Sequence, residues 1–267
     1  LNDANPKATP LPAGFCVTED DLPTAAAEIA AARDKPILAA IGSANYATHT
    51  RWDITLAIHV VCRYMSKPNQ LTWNGIKRII GYLNGTIDHK LTLKRVAILL
   101  ATLITVWVDA AYKPPWSPRG KSVHCIMIFL GASLVHFEVK AQTVVATSST
   151  EAEVIAFAVA VKRAQFIKQF LLELGIHSKV VIYEDNNGVL TNYSGRHCNT
   201  ALRHIDTAYW YARETVAAPE WELRKVHTKH QLADFGTKLH DATTFQRLRD
   251  AIDNFDPSVD YSKLSSD

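Results

Sequence analysis

The chain is poor in most of the features that would assign it quickly. It has only four cysteines, Cys16, Cys62, Cys125 and Cys198. They lie far apart with no CxxC pair, which supports neither a zinc site nor a disulfide framework and fits reduced thiols in an intracellular protein. There is no long apolar run. The most apolar uncharged stretch, Val96 to Val108, is 13 residues and contains two threonines, short of the ~18 needed to span a bilayer. A basic n-region followed by an apolar h-region is missing, so no secretory signal is expected. Charge of one sign is scarce as well: 29 Lys+Arg against 26 Asp+Glu leave +3, too little to announce a nucleic-acid binder by bulk charge. The eleven histidines form no HExxH or paired HxxxH cluster, which disfavours zinc chemistry.

What is present is an ordinary globular composition, 48% hydrophobic and 21% charged over 267 residues, enough for one large or two modest domains. The chain begins at Leu1, the expected mark of a segment cut from something longer. Residues 1–36, with four prolines before Pro36 and the acidic Glu19-Asp20-Asp21, read as an irregular arm carrying a short helix near Ala25 to Arg33. Residues 37–103 read as a small, mainly helical region. Ile54, Ala57, Ile58, Val61 and Met65 mark one amphipathic helix, and Trp73, Ile76, Ile79, Ile80 and Leu83 a second. These two helices and a strand have the look of an adaptor rather than a catalytic unit.

From 104 the rhythm changes. Ile104 to Asp109, Ser122 to Leu130 and Ser133 to Lys140 form a three-stranded meander. Glu151 to Leu174 is the longest helical pattern. Lys179 to Tyr183 is a buried-type strand interrupted at Asn187-Gly188, followed by a helix over Ile205 to Val216, a strand over Glu222 to Val226 and helical tail segments. The order βββαβαβα implies an α/β fold with a mixed sheet and helices on both faces, spanning 104–267.

Two acids stand where ligands collect in such sheets, beyond strand ends: Asp109 and Asp185; Glu151 opens the long helix and Asp234 follows the last strand. Gathered in one pocket, four carboxylates repel unless cations neutralise them, and hard oxygen donors select Mg²⁺ or Mn²⁺. Two such ions ~4 Å apart perform phosphodiester hydrolysis. Each acid also has a structural reading. Glu151 lies three residues after Ser148 and Glu153 three after Thr150, so either can be the helix-facing acid of a capping box. Asp185 can be a turn or N-cap residue before Asn186-Asn187-Gly188, and Asp234 a surface helix residue.

Thr147-Ser148-Ser149-Thr150-Glu151-Ala152-Glu153, Tyr183-Glu184-Asp185-Asn186-Asn187, Arg203-His204-Ile205-Asp206 and Gln231-Leu232-Ala233-Asp234-Phe235-Gly236-Thr237-Lys238 resemble, in order, the ribonuclease H domain of copia-type retrotransposon polyproteins. Thr9-Pro10-Leu11-Pro12, Gly42-Ser43, Thr50 to Ile54, Tyr64 to Pro68 and Trp73 through Gly85-Thr86 resemble the connection joining reverse transcriptase to ribonuclease H in those elements.

The resemblance implies a ribonuclease H-like sheet and an endonuclease cutting the RNA strand of RNA:DNA hybrids. Asp109, Glu151, Asp185 and Asp234 would be its catalytic and metal-binding acids, holding two Mg²⁺ or, as substitutes, Mn²⁺. Asp109 would bridge both ions, Glu151 and Asp185 complete their shells, and Asp234 steady the second ion near the leaving group. The polymerase part of the same polyprotein would be a partner, in a particle in the cytoplasm or in the nucleus.

A hybrid is held through phosphates and 2′-hydroxyls. Arg119, Lys121, Lys162, Arg163, Lys168, Arg196, Arg203 and Lys229 are the basic candidates, with His227 and His230 as auxiliaries beside Asp234. No Tyr-x-Asp-Asp polymerase motif occurs.

The chain departs from the family at Asp109-Ala110-Ala111-Tyr112, which lacks a second acid and a Trp, and around His124-Cys125, where a glycine is usual. It departs again at Val154 in place of Tyr, at Arg51-Trp52-Asp53 in place of Arg-Pro-Asp, and at the apolar Ala97 to Leu103 in place of a polar linker. These departures keep open an alternative, a catalytically silent module that binds nucleic acid or a protein. A third reading is a transposase- or exonuclease-like enzyme on the same sheet.

Overall fold

The computed structural model describes residues 4–97, 100, 102–117, 120–194 and 206–265. Arg119, Arg196, Cys198 and Arg203 lie outside the described residues. So does most of the Arg203 to Asp206 motif.

The centre of the molecule is a five-stranded mixed sheet. Its strands are β1 (Leu103–Ala111), β2 (Val123–Leu130), β3 (Ser133–Ala141), β4 (Lys179–Glu184) and β5 (Trp221–Lys225), ordered β3-β2-β1-β4-β5. The first three form the expected antiparallel meander; β1, β4 and β5 run parallel. Gly131, at φ 57°, supplies the left-handed backbone that the tight β2–β3 reversal needs. The central strand β1 is apolar on both sides because both faces of the sheet are covered.

On one face, Ile104, Val106, Val108, Ile126, Ile128, Val180 and Ile182 pack on α5 (Ser149–Glu173), α6 (Asn187–Ser194) and α7 (Asp206–Val216). On the other, Trp107, Cys125, Met127, Phe129, Val181 and Tyr183 share a core with α8 (Ala242–Asp253) and with the N-terminal helices α2 (Ile37–Ala47), α3 (Thr55–Cys62) and α4 (Gln70–Gly85). The α/β sheet in βββαβαβα order with helices on both faces is therefore observed, with one addition. Two helices, α6 and α7, lie between β4 and β5 where one was expected. Asn187-Gly188 does not merely break the strand: Asn186 Oδ1 accepts from the N–H of Gly188 at 2.8 Å and starts α6.

The N-terminal part is more structured than its composition suggests. Besides α1 (Ala26–Arg33), as read from sequence, α2 forms over residues in which no helix was expected. The prolyl arm is irregular yet anchored, with Thr9, Leu11 and Val17 buried. Among the described residues no strand precedes β1.

A buried polar knot ties the N-terminal part to α8. Arg51 donates twice to Asp53, at 2.9 and 2.8 Å, and the Tyr82 hydroxyl donates to it at 2.6 Å. His89 bridges Asp53 at 3.3 Å to Asp253 at 2.8 Å, and Arg249 donates to the Tyr82 oxygen at 3.0 Å. Among the described residues no helix is long and apolar enough to cross a membrane.

Candidate functional site

The parallel register Trp107↔Tyr183, continued two residues, places Asp109 beside Asp185 at the C-terminal ends of β1 and β4. The turn over Leu232–Gly236 closes the site from the other side. Gln231 fixes that turn to the sheet: its amide donates to the Val108 carbonyl at 2.9 Å, and its Oε1 accepts from the N–H of Ala233 at 3.2 Å. Thr237 then donates to the Asp109 carboxylate, while Lys238 pairs with Asp234 at 2.7 Å and His240 donates to the Asp234 carbonyl at 3.0 Å. Asp185 accepts from the Thr228 hydroxyl at 2.8 Å. Three acids of the expected set thus share one end of the sheet.

The fourth is different. Ser148 is the N-cap of α5 and accepts from the N–H of Glu151 at 3.1 Å. The Glu151 carboxylate reaches back to the Thr147 N–H at 2.7 Å and to its hydroxyl. This closes the first turn of α5 in the manner of a capping box and engages Glu151 there. Glu153 takes the inward position. It is buried, accepts from the N–H of Ala110, and feels the charges of Asp109, Glu184 and Asp185. Of the two glutamates, Glu153 is the one that feels the charges of Asp109 and Asp185.

Burial, then the neighbouring charges of Asp109, Glu184 and Asp185, pushes the Glu153 carboxyl up to about 11. Burial and the charge of Asp234 push Asp109 to about 7, against the Thr237 hydrogen bond. Asp234 also lies above its usual range because of burial, although Lys238 opposes the shift. Glu184, the last residue of β4 and fully buried, is pushed up as well, by burial and then by Asp185 and Asp109, against the N–H of Asn186. Sequence reasoning passed over Glu184, Thr237 and Lys238. Only the alternation of β4, which points Glu184 inward with Val180 and Ile182, signalled the first of them.

As they stand, no three His, Cys, Asp or Glu side chains among the described residues form a group that could hold a metal ion; Thr237 and Lys238 engage Asp109 and Asp234 instead. The donor set nonetheless suits a hard divalent cation. It is all oxygen, and Glu153 Oε2 and Glu184 Oε2 are buried acceptors with no hydrogen-bond partner among the described residues. Bound cations would offset the burial and mutual repulsion that raise the pKa values of Glu153 and Glu184.

The basic and histidine candidates divide. Arg163 is committed to Glu138 at 2.7 Å, which also accepts from buried His124 at 3.1 Å, so it braces α5 against β3. Lys168 pairs with Glu220 at 3.0 Å and Lys162 lies over the Tyr211 ring. Lys121 reaches the Thr143 carbonyl at 3.4 Å, beside the sheet end that bears the acids. His227 accepts from the Lys229 N–H at 3.2 Å and His230 donates to the Ser265 carbonyl at 2.9 Å; both are loop contacts.

No protein-family model matches the chain. It is 30% identical over 254 residues to the retrovirus-related Pol polyprotein from transposon TNT 1-94 of Nicotiana tabacum, covering 94% of this chain and 19% of that protein. It is 32% identical over 210 residues to the corresponding polyprotein from transposon RE2 of Arabidopsis thaliana, covering 78% and 14%. The chain thus spans a fifth or less of the length of these relatives. Among solved structures, LC11-RNase H1 isolated from compost superposes on half of the chain and 91% of its own, at 14% identity and a TM-score of 0.39. The chain is therefore a homologue of part of the retrovirus-related Pol polyproteins of plant transposons.

Proposed function

We propose that this chain is a metal-dependent endonuclease that hydrolyses the RNA strand of RNA:DNA hybrids as part of a retrotransposon polyprotein. One observation carries the reading. Asp109, Glu153, Asp185 and Asp234, drawn from β1, α5, the end of β4 and the 232–236 turn, lie within one another's electrostatic reach in a homologue of Pol polyproteins, which supports the reading.

These four residues would hold two Mg²⁺ ions, or Mn²⁺ in their place; when bound, the ions supply an activated water and stabilise the leaving oxygen. The chain's own residues prepare the site. Gln231 anchors the turn to β1, Thr237 orients the Asp109 carboxylate, and the Glu151 capping box fixes the first turn of α5 so that Glu153 points inward. Lys121 and Lys229 would meet phosphates. Residues 37–103 would act as the connection to the polymerase part, packed on the sheet face opposite α5.

The test is side-by-side incubation of labelled RNA:DNA hybrid, single-stranded RNA and duplex DNA with the folded chain in Mg²⁺ or Mn²⁺. Cleavage confined to the RNA of the hybrid, and abolished by Asp109→Asn, is the expected result. Folded protein that leaves hybrid intact with either metal overturns the enzyme reading. Salt-sensitive hybrid binding without cleavage would assign the silent, nucleic-acid-binding alternative, which the engagement of Asp109 and Asp234 by Thr237 and Lys238 favours.

A further inference from the structure

The turn that carries Asp234 meets the sheet at one point of unusually close approach. A Cβ placed on Gly236 would lie 2.8 Å from Cys125 Cβ and 2.9 Å from Val139 Cγ2, with Cys125 Sγ nearer still. The neighbours belong to the central sheet. Cys125 faces Asp109 across β1 and β2 and Val139 across β2 and β3, and its side chain is fully buried. Gly236 needs no left-handed backbone; what it needs is room. Its bare Cα lets the turn settle onto the sheet.

The consequence reaches the acids through two short links. Asp234 lies two residues before Gly236, and Thr237, directly after it, donates to Asp109. Any lift of the turn at Gly236 moves both the carboxylate that faces Asp109 and the hydroxyl that orients it.

We propose that Gly236 and Cys125 are a matched steric pair that positions Asp234 and Thr237 over Asp109, with Gly236 as a positioning residue for the acid cluster. Its effect on cleavage rests on the nuclease reading; its effect on packing does not.

The experiment uses the full chain with Cys16, Cys62 and Cys198 changed to Ser, which leaves Cys125 as the single thiol. Three quantities are followed: the rate at which Cys125 reacts with Ellman's reagent under native conditions, the rise in Tm caused by Mn²⁺, and hybrid cleavage. Gly236→Ala is expected to raise thiol reactivity at least about tenfold through local opening, with the far-UV circular dichroism unchanged. It should also abolish the Mn²⁺-induced rise in Tm and slow cleavage about 100-fold, the scale expected of a small misplacement. Adding Cys125→Gly, which removes both cysteine atoms that meet the new methyl and leaves Val139 Cγ2 close to it, should restore much of the Mn²⁺ response and of the cleavage, as coupling between contacting residues requires.

An unreactive Cys125 with an intact Mn²⁺ response in Gly236→Ala overturns the pair, as does a double variant no better than the single one. If Gly236→Ala does not fold, folding of the double variant supports the pair and its failure to fold overturns it. A folded parent with neither Mn²⁺ stabilisation nor cleavage sinks the nuclease reading alone, because thiol reactivity still decides the steric pair.

Discussion

Glu151 and Glu153 stand two residues apart on α5 and serve opposite ends. The Glu151 carboxylate closes a capping box on the Thr147 N–H at 2.7 Å, whereas Glu153 is buried beside the Ala110 N–H and within the field of Asp109. The pair separates by mutation. Glu153→Gln should lower hybrid cleavage by more than about 100-fold, the loss of several kcal/mol of metal-mediated transition-state stabilisation. Glu151→Ala should leave most of the cleavage and lower stability by about 1 kcal/mol, the worth of a helix cap. Cleavage rates and denaturant midpoints of the two variants, measured together, check the assignment; the reverse pattern would return Glu151 to the site.

A divalent cation that binds only the folded chain must stabilise it. At 100 times its dissociation constant, Mn²⁺ should add about 2.7 kcal/mol, visible as a higher Tm. Asp109→Asn should remove most of that gain while the chain remains folded. A scan of Tm against Mn²⁺ concentration for both proteins makes the comparison, and an equal gain in the variant would exclude Asp109 as a ligand.

Asp53 lies wholly within the knot that joins α4 to α8, with Arg51, Tyr82 and His89 all directed at its carboxylate. Burial alone would raise its pKa, yet the hydrogen bonds from His89 and Arg51 hold it well below the ordinary carboxylate range. Asp53→Asn leaves Arg51 half-buried without its counter-charge and should cost about 3–5 kcal/mol. Urea unfolding of the two proteins measures it; a loss below about 1 kcal/mol would mean that the knot contributes little.

His89 makes that knot sensitive to pH. Hydrogen bonds to Asp253 and then Asp53 raise its imidazole to about 9, against the opposing effect of burial. Because the folded-state value lies above the ordinary 6.5, the folded chain holds the proton more tightly. Its contribution is complete below about 6.5 and is lost as pH rises through about 9. Asp53 acts at the other end, where its contribution disappears as pH falls below the ordinary carboxylate range. Thermal unfolding between pH 6 and 10 should show a decline in the parent that is absent or much reduced in His89→Gln. Parallel curves would refute the assignment.

Much of this molecule is readable from local pattern. The alternation and apolar runs of β1 to β4 and the three-and-four spacing of α5 are set by neighbours a few residues away, so strand order and helix length follow from sequence with little error. The same holds for Asp109, Asp185 and Asp234, whose places after a strand or in a turn are local facts, and it made the copia-type resemblance legible.

The choice between Glu151 and Glu153 is not local. Two residues turn a helix by about 200°, so which acid faces inward depends on whether Ser148 or Thr150 begins the helix, and packing of α5 against β1 decides that. Helix α2 escaped notice because its stability comes from Ile37, Ile41 and Ala44 packing into a core shared with the sheet, not from its own sequence. Arg163 looked free for phosphates until tertiary packing placed Glu138 beside it, 25 residues away. The sequence by itself determined the order of the elements and the kind of chemistry four acids can support. Only the tertiary structure decided which helix acid feels the others, because burial and mutual repulsion arise between residues that the chain alone keeps 30 to 50 positions apart.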